Sequence, residues 1–449
     1  MSAPIIIPDN CQGISLEINE RQWDDLKAIA NKPIGELCGD GDDSSLLVFP
    51  SVLGIRGDID SEDSIIRIKE EKVYSGNLMG FIGRGDTMLK IRSRFDKDSN
   101  DFFMHYLLEK VFSINLFNLP YQTSRESIFD FSLFLFPYFL KKALSQGIYR
   151  EYVTYNRNDE NLRGVIDISR HIQKNIPFTG KIAYRVREHT SDNPLLELIR
   201  HTIEYIREKD FGTSILSSDE DMKDSVAAVI SATPTYSKSA RLNTIIKNLR
   251  SRVHPYYSEY EPLRQLCLQI LRQEGIKYGE ENDKVYGVIF DGAWLWEAYL
   301  NTVLVKEGFH HPENRLGTDG IYMFADPEDD DEYDKYSKIM YPDFYRKNHI
   351  LDAKYKHLNQ GVGKEDLCQV ITYMYCTQSE HGTYVYPFEK NVPNSKYRLN
   401  GYGGTIMVYP FYVPQFTGDW KVFNKEILES EELLRIELGK SKLVKDENC

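Results

Sequence analysis

Apolar residues recur along this chain in two periods, and the places where the period changes mark its organisation. From Glu17 to Asn31 the inward positions Trp23, Leu26 and Ile29 follow a helical spacing. Strand-like runs follow at Leu46 to Phe49, Ile65 to Lys69, Leu78 to Ile82 and Met88 to Ile91, so residues 1–100 predict a small β-rich domain. Residues 101–275 are mostly helical in pattern, broken between Tyr152 and Arg187 by strand-like pieces, and predict a helical connector domain. In residues 276–449 the period alternates again. A helix from Asp291 to Gly308 precedes a hairpin over Ile339 to Tyr355, a helix across GKEDLCQVITYMYCTQ, and strands at Thr383 to Tyr386 and Gly404 to Tyr412. That order suits a mixed sheet flanked by helices, and the fold class expected is α+β and multidomain.

The hairpin holds the candidate chemistry. Two strand-like runs, Ile339 to Tyr345 and His349 to Tyr355, flank the polar Arg346, Lys347 and Asn348. With the turn centred between Lys347 and Asn348, Tyr345 pairs with Ile350 and Phe344 with Leu351, which sets Asp343 opposite Asp352. Like charges facing each other across strands are destabilising, so the pair calls for a cation, and a hard one such as Mg²⁺ suits carboxylate oxygens. A period of two puts Ile350, Asp352 and Lys354 on one face, which stands Lys354 beside that cation. Two Asp and one Lys are the parts that phosphodiester hydrolysis asks for: metal ligands to activate water and a cation for developing charge. An exposed hairpin with merely solvated charges is the plainer account of the motif alone.

The flanking helices add polar groups where they bear on the hairpin. Asp291 is placed to cap the first helix and Gly308 to stop it, while Glu297 sits on a largely apolar stripe with Ala293, Leu300 and Leu304. Glu297 is read as a third metal ligand or water-positioning group, against a plain Glu at the edge of a core face. In the second helix Gln369 and Tyr373 lie one turn apart and point the same way, a pair suited to holding a phosphate or orienting the Lys, or simply a boundary between core and solvent.

Composition narrows the function classes. The 449 residues carry 55 Lys plus Arg against 68 Asp plus Glu, a formal charge of −13, where a protein that captures DNA unaided usually shows a basic footprint. Much of the acid lies in ADPEDDDEYD (325–334), read as a solvated loop. The six cysteines, Cys11, Cys38, Cys267, Cys368, Cys376 and Cys449, form no C-x-x-C pair and so point to neither a zinc site nor a disulfide scaffold. MSAPIIIPDN lacks the features of an export signal, and FSLFLFPYFL (131–140) is cut by Pro137 and far short of the roughly 20 residues that span a bilayer. A cytoplasmic location with no membrane contact is expected. LNQGVGKED resembles a phosphate loop only at Gly363 and Lys364, since Leu358 and Glu365 occupy positions that need Gly and Ser or Thr. GFIGRGDT clusters glycines but precedes no helix, so it reads as a hairpin turn rather than a dinucleotide site. His310 and His311 are adjacent and point apart on regular structure.

Taken in order, Glu on a helix, PD, D-x-K on a hairpin strand, and a helix with Q-x-x-x-Y resemble the PD-(D/E)XK nuclease superfamily in its RecB-like branch. WLWEAYL, YPD, ILDAKYK and DLCQVITYMY are similar, more narrowly, to the McrC family, the nuclease subunit of McrBC-type and LlaJI-type restriction systems. LMGFIGRGDTMLKIRSRF (78–95), NLRGVIDISRHIQKN (161–175) and SDNPLLELIRHTIEYI (191–206) resemble other landmarks of that family, so the likeness spans residues 65–415. It implies a PD-(D/E)XK endonuclease domain with Asp343, Asp352, Lys354, Glu297, Gln369 and Tyr373 as site residues and Mg²⁺ as cofactor. It further implies a GTP-dependent, modification-dependent restriction system in which an AAA+ GTPase hexamer of McrB type is the partner and double-stranded DNA the substrate. The alternatives are a stand-alone RecB-like exonuclease and a catalytically silent subunit that only stimulates GTP hydrolysis. In the family the N-terminal part reaches into the partner ring, which draws attention to the hairpin tip, where Arg84 and Asp86 are expected to be exposed between Gly83 and Gly85, against an ordinary charged turn. Because residues 1–100 supply none of the site residues, their removal is expected to end ring binding yet leave Asp343 and Asp352 able to bind Mg²⁺.

Overall fold

The structure, a computed structural model, describes residues 4–38, 45–50, 61–85, 87–97, 101–112, 125–209, 212–250, 253–277, 285–312, 319–324, 338–401 and 403–443. Asp86 and the acidic run 325–334 lie outside them. In place of three consecutive domains, the chain divides into two compact units: Met1–Cys38, Ser45–Ile128 and Asn282–Cys449 form one, and Gly39–Ser44 with Phe129–Glu281 the other.

The N-terminal part of the first unit is built as its apolar pattern requires. Helix Glu20–Ile29 starts at Asn19, which forms a reciprocal capping box with Gln22, and buries Leu26 and Ile29. These pack on Ile7, Ile34, Ile65, Val73, Leu78, Ile82, Leu89 and Ile91. The five-stranded sheet beneath runs in the order Ile5–Pro8, Thr87–Arg92, Leu78–Arg84, Val285–Asp291, Ser45–Phe49. Its fourth member comes from far along the chain. Val285–Asp291 pairs antiparallel with Leu78–Arg84 and parallel with Ser45–Phe49. The glycines of GFIGRG are needed where these strands meet: a Cβ on Gly80, whose φ is +132°, would lie 2.3 Å from the Val288 carbonyl oxygen, and one on Gly83 would lie 2.6 Å from the Tyr286 ring. They serve strand packing as well as the turn.

The C-terminal part of the same unit is the expected mixed sheet between helices. Strand order is Phe344–Arg346, His349–Ala353, His381–Phe388, Thr405–Tyr412, Ser395–Arg398, with the three middle strands parallel and the two edges antiparallel. Helix Lys364–Cys376 covers one face with Val370, Tyr373 and Met374 against Ile350, Tyr384, Ile406 and Val408. On Phe411 of that sheet, Trp296 and Tyr299 of helix Gly292–Leu304 pack edge-on at 5.5 and 6.0 Å between ring centres. Buried Glu431 of helix Trp420–Leu443 accepts from the hydroxyls of Tyr106 and Tyr299 at 2.5 and 3.0 Å, joining three helices. A carboxylate so enclosed is tolerated because its oxygens are matched by donors.

The second unit centres on helix Pro194–Arg207. Asn193 caps it, Pro194 fills its first turn, and Leu196, Leu198, Ile199, Ile203 and Ile206 are fully enclosed. The strand-like pieces expected between Tyr152 and Arg187 are Glu151–Asp159, Val165–Ile166 and Ile182–Thr190, a three-stranded antiparallel sheet. No described helix is long and apolar enough to cross a membrane; FSLFLFPYFL lies within helix Arg125–Ser145, which contains Pro137.

Candidate active site

The hairpin closes in the register its side-chain period demands. Phe344 faces Leu351, Tyr345 faces Ile350 and Arg346 faces His349, leaving Lys347 and Asn348 as a two-residue turn with Asn348 at φ 65°. Asn348 then accepts from Glu380 N at 2.7 Å, which ties the turn to the approach of the central strand. Asp343 lies one step beyond the last ladder pair. Though partly exposed as a residue, it turns its carboxylate inward, where Oδ2 accepts from Ala353 N at 2.7 Å. Asp352 is buried on the partner strand, and Lys354 Nζ stands 2.9 Å from its Oδ2.

Burial and crowding of like charge set the electrostatics. Burial raises the Asp343 carboxyl well above the carboxylate range, and the charges of Asp352 and Glu297 raise it further, opposed by Lys354. Burial also raises Asp352, with Lys354 pulling it back. Burial lowers the Lys354 ammonium, but Asp352 and Asp343 outweigh that and hold it charged. Two carboxylates that resist ionising side by side, with a single lysine between them, make a site short of positive charge.

The flanking helices deliver what their periodicity places there. Asp291 caps the first helix by accepting from Ala293 N and Trp294 N, and Gly308 ends the following turn at φ 77°. Trp296 Nε1 donates to Val385 O at 3.3 Å, fixing that helix on the central strand. Glu297 bears on Asp343 through its charge and approaches His311 Nδ1 at 3.7 Å. His311 in turn holds the Asp343 main chain, its Nδ1 lying 2.7 Å from the carbonyl oxygen. On the opposite helix Gln369 Nε2 donates to the Tyr373 hydroxyl at 2.8 Å, and that hydroxyl is raised by burial and by the Asp343 and Asp352 charges.

Asp343, Asp352, Lys354 and the Gln369–Tyr373 pair thus gather, with Glu297 reaching them from the rim. Among the described residues no three His, Cys, Asp or Glu side chains are arranged to hold a metal, so the expected triple of Asp343, Asp352 and Glu297 is not assembled as one ligand set. The pair Asp343 and Asp352 fits a hard cation by itself, since Mg²⁺ takes one or two carboxylates and keeps several waters. Sequence reasoning passed over Asp366, whose Oδ1 lies 3.5 Å from Lys354 Nζ. Its spacing, one turn before Gln369 on the same helix, was the available signal. His311 was read only as one of two adjacent histidines that point apart, and nothing local ties it to Asp343.

The hairpin tip differs from its expectation. Arg84 is not an exposed finger: its Nη1 pairs with Asp25 Oδ1 at 3.0 Å, the Arg side chain only 23% exposed, and Thr87 Oγ1 donates to the other Asp25 oxygen. An arginine with a carboxylate in reach on the adjoining helix is drawn down onto the sheet.

The structure therefore defines a two-unit α+β protein whose first unit carries a carboxylate–lysine site on a mixed sheet. Residues 73–387 match the family described as McrBC 5-methylcytosine restriction system component, and the chain belongs to that family. No curated protein matches. Two solved structures from Thermococcus gammatolerans are similar, each at 16% identity. One is a refined half-complex from a tetradecameric assembly of McrB AAA+ hexamers with bound McrC, covering 95% of this chain and 100% of that one at a TM-score of 0.46. The other is the cryo-EM structure of the McrBC complex, covering 69% and 90% at a TM-score of 0.33.

Proposed function

We propose that this chain is the Mg²⁺-dependent DNA endonuclease subunit of a GTP-dependent restriction system, of PD-(D/E)XK type, cleaving double-stranded DNA together with an AAA+ GTPase hexamer of McrB type. The observation that carries the reading is the convergence of Asp343, Asp352 and Lys354 on one hairpin in a member of a restriction family. A divalent cation on Asp343 and Asp352 would supply a Lewis acid and a water of lowered pKa. Lys354, kept charged by those carboxylates, is placed to stabilise charge developing on a phosphate. Gln369 and Tyr373 offer neutral donors on the same side, suited to positioning phosphate or water. A chain of net charge −13 without a phosphate loop is served by a partner that captures DNA and hydrolyses GTP.

The test is nicking of a modified plasmid by the purified chain with its genomic neighbour of AAA+ type, GTP and Mg²⁺. Asp343→Ala and Asp352→Ala are expected to lose cleavage while keeping their fold. Lys354→Ala should lower kcat by roughly 10²-fold or more with less effect on metal affinity. Full nicking by Asp352→Ala protein would overturn the site. In the same mixture this chain should raise the partner's GTP turnover, and an unchanged turnover would argue for a nuclease that works alone.

A further inference from the structure

Lys354 has a second carboxylate within reach. Its Nζ is 2.9 Å from Asp352 Oδ2 and 3.5 Å from Asp366 Oδ1. Asp366 is held in place from two further sides. Its Oδ2 pairs with Lys356 Nζ at 2.7 Å, and its main-chain carbonyl accepts from the Tyr384 hydroxyl, also at 2.7 Å, in the first turn of helix Lys364–Cys376. The Asp352 and Asp366 oxygens thus flank one ammonium, which can donate to both with its three protons.

We infer that Asp366 is a positioning residue for Lys354: the carboxylate that takes over the ammonium when a divalent cation takes Asp352. The inference rests on the metal site proposed above. An ammonium 2.9 Å from a ligand oxygen competes with any cation for that oxygen, so the site needs somewhere for the lysine to go. Asp366 Oδ1 lies 3.5 Å from the same ammonium already, so a receiving carboxylate is in place beside it. Lys356 keeps Asp366 ionised and aimed: although burial opposes its charge, the Lys356 and Lys354 cations prevail and hold this carboxyl below the usual range. Lys354 so anchored remains beside the cation, available to a phosphate, instead of being expelled to solvent.

The experiment is calorimetric titration of Mg²⁺ into the full-length protein without DNA, for wild type, Asp366→Asn, Lys354→Met and the double variant. Asp366→Asn should weaken Mg²⁺ binding about tenfold in the wild-type background and by no more than about twofold when Lys354→Met is already present. Asp366→Glu, which can still receive the ammonium, should recover most of the affinity. Equal weakening in both backgrounds would mean that Asp366 acts only through its charge, and unchanged affinity would mean that it does not act at all; either overturns the inference. Absence of binding to the wild type, or undiminished binding to Asp352→Asn, would instead remove the metal site itself.

Discussion

Asp9 shows how far the site's support extends at the scale of single residues. It is buried in the N-terminal sheet, where Oδ2 lies 3.3 Å from Arg94 Nε and Oδ1 accepts from Arg94 N. Arg94 Nη2 donates to the carbonyl of Tyr355 at 2.9 Å, so the chain leaving Lys354 is clamped by an arginine that Asp9 orients. Burial raises the Asp9 carboxyl to about 7 even though Arg94 opposes the shift. A carboxyl that is raised on folding adds stability that is fully present below the ordinary carboxylate range and is lost as pH climbs through about 7. Wild-type stability should therefore carry a downward component between about pH 4 and 7, of at most ~1.4 kcal/mol per pH unit for one proton. Asp9→Asn, which keeps the acceptor, should remove that component. Chemical denaturation at several pH values compares the two slopes, and parallel slopes would show that Asp9 ionises normally.

Among whole elements, what was legible and what was not divide along local against distant pairing. The hairpin register followed from a period of two and a two-residue turn, both local, and the structure agrees pair by pair from Phe344 to Arg346. Strands Leu78–Arg84 and Thr87–Arg92 were readable for the same reason. Ile5–Pro8 and Lys72–Ser75, four residues each, were not read as strands. That Val285–Asp291 would enter the N-terminal sheet had no local sign, because its partners lie more than 200 positions earlier. Helix Trp420–Leu443 was not read from the sequence, although Phe423, Ile427, Leu434 and Leu438, which it buries, repeat at helical spacing. Of the site, Asp343, Asp352 and Lys354 were local, while His311 reaches Asp343 across 32 positions and could not be inferred. The inserted strand carries its own prediction. Gly80→Ala would set a Cβ 2.3 Å from the Val288 carbonyl oxygen at a φ of +132°, and should lower stability by roughly 2–4 kcal/mol. Gly76→Ala, with nothing within 4 Å of its Cβ, should be close to neutral. Thermal melts of the pair decide it, and equal midpoints would mean that the sheet does not close on Gly80.

For the molecule as a whole, the same insertion changes how partner docking has to be tested. Residues 1–100 supply no site carboxylate, which made them look separable, but they supply every other strand of the sheet that receives Val285–Asp291. They also supply the bed of Tyr355, whose hydroxyl meets Ser93 Oγ at 2.8 Å and whose ring packs edge-on against Phe95 at 5.0 Å. Tyr355 follows Lys354 directly, and Val285–Asp291 runs straight into the helix that bears Glu297. Removing residues 1–100 would strip both edges from a buried strand and unseat the site's own chain. The truncated protein, 101–449, should therefore lack a cooperative melt and bind Mg²⁺ poorly, so its failure to join a hexamer would say nothing about docking. A cooperative melt with wild-type Mg²⁺ affinity would show instead that the site folds without the N-terminal sheet. Docking is better addressed by point changes near the hairpin tip. Arg84→Ala removes the pair with Asp25, which is largely enclosed, so its thermal melt and Mg²⁺ affinity are measured beside wild type before stimulation is compared. If that tip enters the ring, stimulation of the partner's GTP turnover should fall severalfold with Asp86→Ala or Arg84→Ala while metal binding stays unchanged. Undiminished stimulation by both variants would move the contact away from this hairpin.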